Sequence, residues 1–127
     1  MADTEQIVYL NGEHLPVSQA NVSVLDRGFL FGDGVYEVIP VFGRHLLRLD
    51  DHLARLQNSL NRISLANPMS NDQWHQQFDA LLAKNPGEER ALYLQISRGA
   101  SPVRDLAIKP QYPPTVFMMV LPVKKVD

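Results

Sequence analysis

The sequence predicts an α+β fold: a mostly antiparallel sheet with two helices packed on one face. Short apolar runs rich in β-branched residues, separated by turn residues, indicate strands near both ends of the chain. Between them, two segments repeat their apolar residues at helical spacing. The predicted order is two or three strands, two helices and then two strands, in one domain of 127 residues.

An edge hairpin is predicted at the N-terminus. Residues 7–10 are apolar, and the Asn11-Gly12 dipeptide that follows is a strong hairpin signal because both residues can take positive φ. Pro16 cannot donate to a ladder, so the second strand should be short and lie at an edge.

The next strands flank the Gly43-Arg44 turn. Residues 24–34 read as a glycine-punctuated loop, 35–42 as a strand and 45–48 as its partner strand. Pro40 places this pair towards an edge or a bulge.

Two amphipathic helices are predicted next. Asp50 is a candidate N-cap for the first, and Ser70 with Gln73 forms a capping box for the second. The predicted buried faces are Leu53, Leu56, Leu60 and Ile63, then Trp74, Phe78, Leu81 and Leu82. Two strands follow over residues 91–97 and 115–123, separated by a proline-rich loop, and the last is apolar enough to be buried on both faces.

Composition narrows the classes of function. The net charge of −2 argues against nucleic acid as a partner, and the absence of cysteine excludes disulfides and thiolate sites. The longest apolar stretch, 116–122, is shorter than the roughly 20 residues that span a bilayer. The N-terminus is polar and acidic, unlike a signal peptide, so we expect a cytoplasmic protein without membrane contact.

Residues 26–37 form the segment that can carry chemistry. Three glycines within seven residues are followed directly by a predicted strand. Such glycines indicate unusual backbone angles or a close approach to another group. Alternation puts Tyr36 and Glu37 on opposite faces of that strand. From the residues alone, a tight loop followed by a core tyrosine is the favoured interpretation of this segment, and a functional site is the alternative.

Arginines supply the candidate binding groups. Arg55 lies three residues after His52, so the two are neighbours on a helix surface, and a guanidinium fork suits a phosphate dianion. Arg104 follows a strand end, where it can meet a substrate carboxylate or pair with Asp105 in solvent. From the residues alone, a solvated helix face is the usual explanation for a lone arginine such as Arg55, and phosphate binding is the alternative. No histidine spacing suggests a metal site, so none is predicted.

Four segments in order resemble the class IV (fold-type IV) pyridoxal-phosphate aminotransferases. They are Asp26-Arg27-Gly28, residues 31–37 (FGDGVYE), residues 52–56 (HLARL) and Ser97-Arg98-Gly99. The resemblance is greatest to the D-amino-acid (D-alanine) aminotransferases. Branched-chain aminotransferases and aminodeoxychorismate lyases share the fold.

The resemblance implies that residues 1–127 form the N-terminal domain of a two-domain, homodimeric enzyme acting on amino acids and 2-oxo acids. Pyridoxal 5'-phosphate would lie in the cleft between the domains. Arg55 matches the arginine that binds the cofactor phosphate, and Tyr36 matches a tyrosine that helps to hold the substrate carboxylate. Arg98 matches a recurrent arginine with a structural role.

The chain departs from the family pattern in the loop after Arg98-Gly99. D-amino-acid enzymes usually place an arginine and a histidine there to bind the substrate carboxylate, whereas this chain has Val103 and either Asp105 or Leu106. Arg104 is one residue out of register and is the candidate substitute. This departure keeps the lyase and branched-chain alternatives open.

The second departure concerns the catalytic lysine. The family's Schiff-base lysine belongs to the C-terminal domain, and Lys124 and Lys125 come too early in the pattern to be that lysine. We therefore expect no catalytic residue in this chain, an inactive fragment, and no cofactor bound to it. The alternative of a different class is a stand-alone, non-catalytic binding or oligomerisation module.

Overall fold

Six strands form one sheet, and two long helices pack on one of its faces. The computed structural model describes residues 5–108 and 112–123. Its elements are β1 (Ile7–Leu10), β2 (Glu13–Pro16), a short 3-10 helix (Val17–Gln19), α1 (Arg27–Phe31), β3 (Gly34–Phe42), β4 (His45–Leu46), α2 (Leu49–Arg62), α3 (Asn71–Lys84), β5 (Glu89–Ser97) and β6 (Thr115–Pro122). The strand order is β2-β1-β6-β5-β3-β4, and the described pairings are antiparallel. The predicted fold class is confirmed.

The core lies between the sheet and helices α2 and α3. Alternate residues of the strands point into it, and the large aromatic side chains of α3, Trp74 and Phe78, stack there with ring centroids 5.9 Å apart. One row of cross-strand partners runs Tyr9, Met118, Leu94 and Glu37. The register therefore places one carboxylate, that of Glu37, among apolar side chains on the helix side.

The helices are confirmed, with one correction at the start of α2. Ser70 and Gln73 form the predicted capping box of α3. Asp50, however, is not the N-cap of α2. That position belongs to Arg48, which has φ 53 and no capping side-chain bond, because the helix begins two residues earlier than predicted. Asp50 lies in the first turn, where its charge favours the helix dipole.

Four other expectations change in detail. The strand after the Gly43-Arg44 turn is only two residues long, and the predicted loop 24–34 contains the unpredicted helix α1. Ile63 is the C-cap of α2 and is half-buried. In β6, alternate residues are buried while the others are half-buried or, for Pro122, exposed, because helices cover only one face of the sheet. Among the described residues, no helix has the length and apolar character to cross a membrane.

Strand β3 has a free edge along its first half, as far as the described residues extend. It pairs with β5 over all nine of its residues, but β4 pairs only with Val41 and Phe42. The carbonyl of Pro40 accepts from the Leu47 amide at 2.9 Å, on the side of the strand that faces β4. The N–H that proline lacks would point to the same side, so its absence does not interrupt the pairing with β5. The prediction that Pro40 marks a strand near an edge is confirmed.

Helix α1 is held against the strand ends by a buried aspartate. Asp26 caps the helix: its Oδ1 accepts from the Gly28 amide at 2.8 Å and from the Ser97 hydroxyl at 2.6 Å. Gly32 ends the helix in the left-handed region with φ 65. A capping aspartate and a closing glycine therefore explain why so short a segment is helical.

A second carboxylate, Asp33, joins three parts of the fold. Its Oδ2 accepts from Nε of Arg27 at 2.9 Å and from Nε of Arg98 at 2.8 Å, and both arginines are buried. Arg98 also donates to the Ile63 carbonyl at the end of α2. Burial alone would raise the pKa of Asp33, but the hydrogen bonds from Arg98 and Arg27 outweigh it and hold the pKa below its ordinary 3.8.

Asp33→Asn should lower the free energy of unfolding by about 3 kcal/mol at pH 7, because it leaves two buried guanidinium groups without their anion. A depressed folded pKa means that the stabilisation is present above 3.8 and is lost as pH falls through the lower folded value. The difference between the wild type and the variant should therefore shrink in acid. Urea unfolding from pH 7 down to about 2.5 measures it.

Asp51→Asn is the matched control, since Asp51 pairs with Arg48 on the surface and both side chains are largely exposed. Its effect should stay within about 0.5 kcal/mol at every pH. A difference for Asp33→Asn that did not change with pH would contradict a role for the ionised carboxylate.

Candidate functional site

The candidate site lies at the free edge of β3, where the predicted binding residue Tyr36 and its neighbour Glu37 occupy opposite faces. Tyr36 is 64% exposed on the open face of the sheet, and Glu37 is 3% exposed on the helix side. The alternation predicted from the sequence is confirmed. The edge therefore offers a phenol on one side and a buried carboxylate on the other.

Glu37 binds two side chains of α2. Its Oε2 accepts from Nε of Arg55 at 2.9 Å, and its Oε1 accepts from Nη2 of Arg55 at 2.9 Å. Nδ1 of His52 lies 2.7 Å from the same Oε1. An ionised carboxylate can only accept, so this nitrogen carries the proton. The helical spacing that makes His52 and Arg55 neighbours thus brings both to one anion.

The charges of this cluster reinforce one another. Burial tends to raise the pKa of Glu37, but hydrogen bonds from Arg55 and His52 prevail and keep the pKa below its ordinary 4.5. The hydrogen bond from Arg55 to Glu37, together with the charge of that carboxylate, raises the pKa of Arg55. Arg55 is therefore a permanent cation at the part of β3 that carries Glu37 and its neighbour Tyr36, although Tyr36 points to the other face.

Tyr36 lines a small cavity beside the glycine loop. The cavity measures about 210 Å³. Its lining residues are Gly28, Gly32, Gly34, Val35, Tyr36 and Gln95. The Tyr36 ring stacks on Tyr93, with centroids 6.0 Å apart, which orients the phenol along the sheet surface. An added Cβ on Gly34 would come within 2.6 Å of the Ile96 carbonyl oxygen, so the close approach of β3 and β5 here requires glycine.

Arg104 reaches the same loop from another direction. Its guanidinium carbon lies 4.9 Å from the centroid of the Phe31 ring, the last residue of α1 and the neighbour of Gly32. The backbone after it is held by Arg27, which donates to the carbonyls of Asp105 and Leu106. Arg104 thus contacts an aromatic ring, and no ion pair joins it to Asp105 within the described segments.

The structure brings together two of the three predicted binding residues. Arg55 pairs with Glu37, the residue next to Tyr36 on β3, whereas Arg104 contacts Phe31 and shows no described bond to either. Glu37 was missed as a functional candidate, although its position in step with Ile39 and Val41 was a signal for a core-facing carboxylate. Asp33 carried no such signal, because it stands between two glycines in an apparent loop.

The arrangement can bind an anion. Arg55 is 66% exposed, and Glu37 occupies only its Nε and Nη2 side, which leaves donors of the guanidinium directed outwards.

Residues 5–108 and 112–123 contain no group of three or more possible metal ligands. Lys84 is exposed at the end of α3, while Lys109, Lys124 and Lys125 lie outside the described residues.

Similarity in sequence and similarity in structure both relate this chain to aminotransferases. Residues 34–126 match the family model described as amino-transferase class IV. The chain is 39% identical over 95 residues to a D-alanine aminotransferase of Bacillus licheniformis, covering 75% of this chain and 34% of that protein. It is 32% identical over 106 residues to the D-alanine aminotransferase of Listeria monocytogenes, covering 84% and 37%. The chain thus spans about a third of the length of these curated relatives.

Solved structures of the same fold include branched-chain aminotransferases. One from Thermoproteus uzoniensis, determined with norvaline, has a TM-score of 0.82 and 25% identity, covering 94% of this chain and 41% of that chain. The Escherichia coli enzyme has a TM-score of 0.84 at 20% identity, with the same coverage. A third branched-chain enzyme, determined with pyridoxamine 5'-phosphate, has a TM-score of 0.82 at 20% identity, covering 96% and 42%.

The ordered glycine loop, the edge strand with Tyr36 and Glu37, and the α2 arginine all fall within or beside the matched residues. The fold and the sequence match lead to one conclusion: this chain belongs to the class IV aminotransferase family.

Proposed function

We propose that residues 1–127 are the N-terminal domain of a pyridoxal-phosphate-dependent aminotransferase. The observation that carries the proposal is the Arg55 guanidinium, which Glu37 holds on one side and which is 66% exposed on the other. A planar fork of N–H donors with a permanent charge suits a phosphate dianion. Membership of the class IV family supports this assignment.

In this proposal Arg55 binds the phosphate of pyridoxal 5'-phosphate, Tyr36 holds the substrate carboxylate through its phenol, and Arg104 provides a second cation for that carboxylate. Arg55 pairs with Glu37, the residue that follows Tyr36 on β3, so both proposed binding residues lie at the same part of the strand. The cofactor, when bound, supplies the electron sink for amino-group transfer. The residues of this chain bind and orient.

We also propose that residues 1–127 alone do not catalyse transamination. Lys84, the lysine within the described residues, lies exposed at the end of α3. The next residue in the chain, Asn85, bonds the backbone of Ile7 on β1, which pairs with β2. Strand β2 is at the edge of the sheet opposite to β3 and the candidate site. A lysine from a C-terminal domain would complete the enzyme.

Arg55→Ala, made in the full-length protein that carries this chain, should weaken the binding of pyridoxal 5'-phosphate by about 10- to 100-fold. That loss is the scale expected when a hydrogen bond between charged groups is removed. Fluorescence or absorbance titration measures the dissociation constant. The matched control is Arg62→Ala, in the last turn of the same helix, which should leave affinity unchanged. Equal affinities for all three proteins would refute the assignment of Arg55.

For the substrate, we propose a D-amino acid, with D-alanine donating its amino group to a 2-oxo acid. The support is the similarity to D-alanine aminotransferases at 32% to 39% identity. A second candidate is a branched-chain amino acid. It is favoured by the exposed apolar side chains of Val103 and Leu106 beside Arg104, and by the branched-chain enzymes among the structural relatives.

Steady-state assays of the full-length protein separate the two candidates. With 2-oxoglutarate as acceptor, kcat/KM should be higher for D-alanine than for L-leucine. Arg104→Ala should raise KM for D-alanine by about tenfold, because it removes one charged contact to the carboxylate. A preference for L-leucine would overturn the D-amino-acid proposal and leave the aminotransferase proposal standing.

The proposed enzyme is a homodimer. Phe29 on α1 is 73% exposed, Val24 is exposed in the loop before α1, and Leu106, whose carbonyl accepts from Arg27 on α1, is exposed as well. Exposed apolar side chains of this size are typical of surfaces that another chain or domain covers. Sedimentation of the full-length protein tests this point, and a monomer at all concentrations would contradict it.

A further inference from the structure

We infer that Glu37 is a positioning residue: it fixes the Arg55 guanidinium by one side so that the remaining donors face a phosphate group. This inference rests on the proposed role of Arg55 in binding the cofactor phosphate. Glu37 would not touch the cofactor itself, because its carboxylate is 3% exposed and faces the helix side of the sheet. It would act through Arg55.

The contact between the two side chains is side-on. Arg55 uses its Nε hydrogen and one Nη2 hydrogen to pair with the two carboxylate oxygens, at 2.9 Å each. A guanidinium has five N–H donors in a fixed plane. Three of them, the two on Nη1 and the second on Nη2, are not used by Glu37. These project from the end of the group, in the geometry that two phosphate oxygens accept.

The carboxylate is itself immobilised. Glu37 pairs with Leu94 in the centre of the β3–β5 ladder, so its backbone is held by the sheet. Its Oε1 accepts from both Arg55 and Nδ1 of His52, three residues earlier on α2. A carboxylate bound from two directions cannot rotate without breaking one of these bonds. The orientation of an exposed arginine is thus set by a buried strand residue.

Burial of Glu37 has an electrostatic consequence that opposes anion binding. Its negative charge partly cancels the positive potential that Arg55 presents to a bound phosphate. On charge alone, removal of Glu37 should tighten phosphate binding. On orientation, removal should weaken it, since a free arginine must be ordered when the ligand binds. The sign of the change therefore distinguishes positioning from a purely electrostatic effect.

The test compares two ligands in the full-length protein: pyridoxal 5'-phosphate, and pyridoxal, which lacks the phosphate. Glu37→Gln removes the charge, and Glu37→Asp keeps it but is one methylene too short to reach Arg55. Both variants should weaken binding of the phosphorylated ligand by about tenfold, the scale of one charge-assisted hydrogen bond. Neither should change pyridoxal affinity more than about twofold. Dissociation constants are measured at a temperature where circular dichroism shows every variant folded.

A double-mutant cycle shows whether Glu37 acts through Arg55. In the Arg55→Lys background, Glu37→Gln should change affinity less than about twofold, because lysine cannot make the side-on pair. Asp33→Asn is the matched control. It also removes a buried carboxylate that pairs with arginine, but one outside this cluster, so it should lower stability and leave phosphate-dependent affinity unchanged.

The outcomes separate this inference from the function on which it rests. If Arg55→Lys weakens pyridoxal 5'-phosphate binding while both Glu37 variants leave it unchanged or tighten it, the positioning role is wrong and the proposed function stands. Equal losses from Glu37→Gln in both backgrounds would also overturn it, because Glu37 would then act independently of Arg55. If Arg55→Lys has no effect, the phosphate assignment fails first.

Discussion

Glu37 places a carboxylate on the face of the sheet that the helices cover, and the fold around it depends on how that charge is accommodated. A buried anion is costly without hydrogen-bonding cations. Helix α2 provides such donors from two residues three apart, His52 and Arg55, which both contact Glu37. The helix cannot shift along β3 without leaving the charge unpaired. The interaction therefore fixes the helix on the sheet and the arginine at its edge.

The two carboxylates near this edge are used in different ways. Asp33 is surrounded by two buried arginines, Arg27 and Arg98, and its contacts are directed inwards. Glu37 pairs with Arg55, whose other side faces outwards. The first arrangement stabilises the glycine loop against the ends of α2 and β5, and the second leaves an oriented cation available to a ligand. Burial of the partner arginine is what separates a structural pair from a candidate binding group.

Much of the fold could be predicted from the sequence, because the spacing of apolar residues and the identity of turn and capping residues determine the local structure. The Asn11-Gly12 hairpin, the capping box at Ser70 and the opposite faces of Tyr36 and Glu37 are confirmed. Helix α1 was missed because five residues give no periodic signal, and its cap depends on bonds from Asp26 to distant residues such as Ser97. Likewise, no local pattern in the sequence shows that Asp33 pairs with Arg98 at the end of β5, which is 65 positions away in the chain.

The most direct test of the central claim is a crystal structure of the full-length protein bound to pyridoxal 5'-phosphate. The account predicts Nη1 or Nη2 of Arg55 within hydrogen-bonding distance of the phosphate, while Nε keeps its bond to Glu37 and Tyr36 faces the substrate side. A phosphate bound elsewhere, or an Arg55 that had left Glu37 to reach it, would contradict the claim that a buried carboxylate pre-orients this arginine for the cofactor.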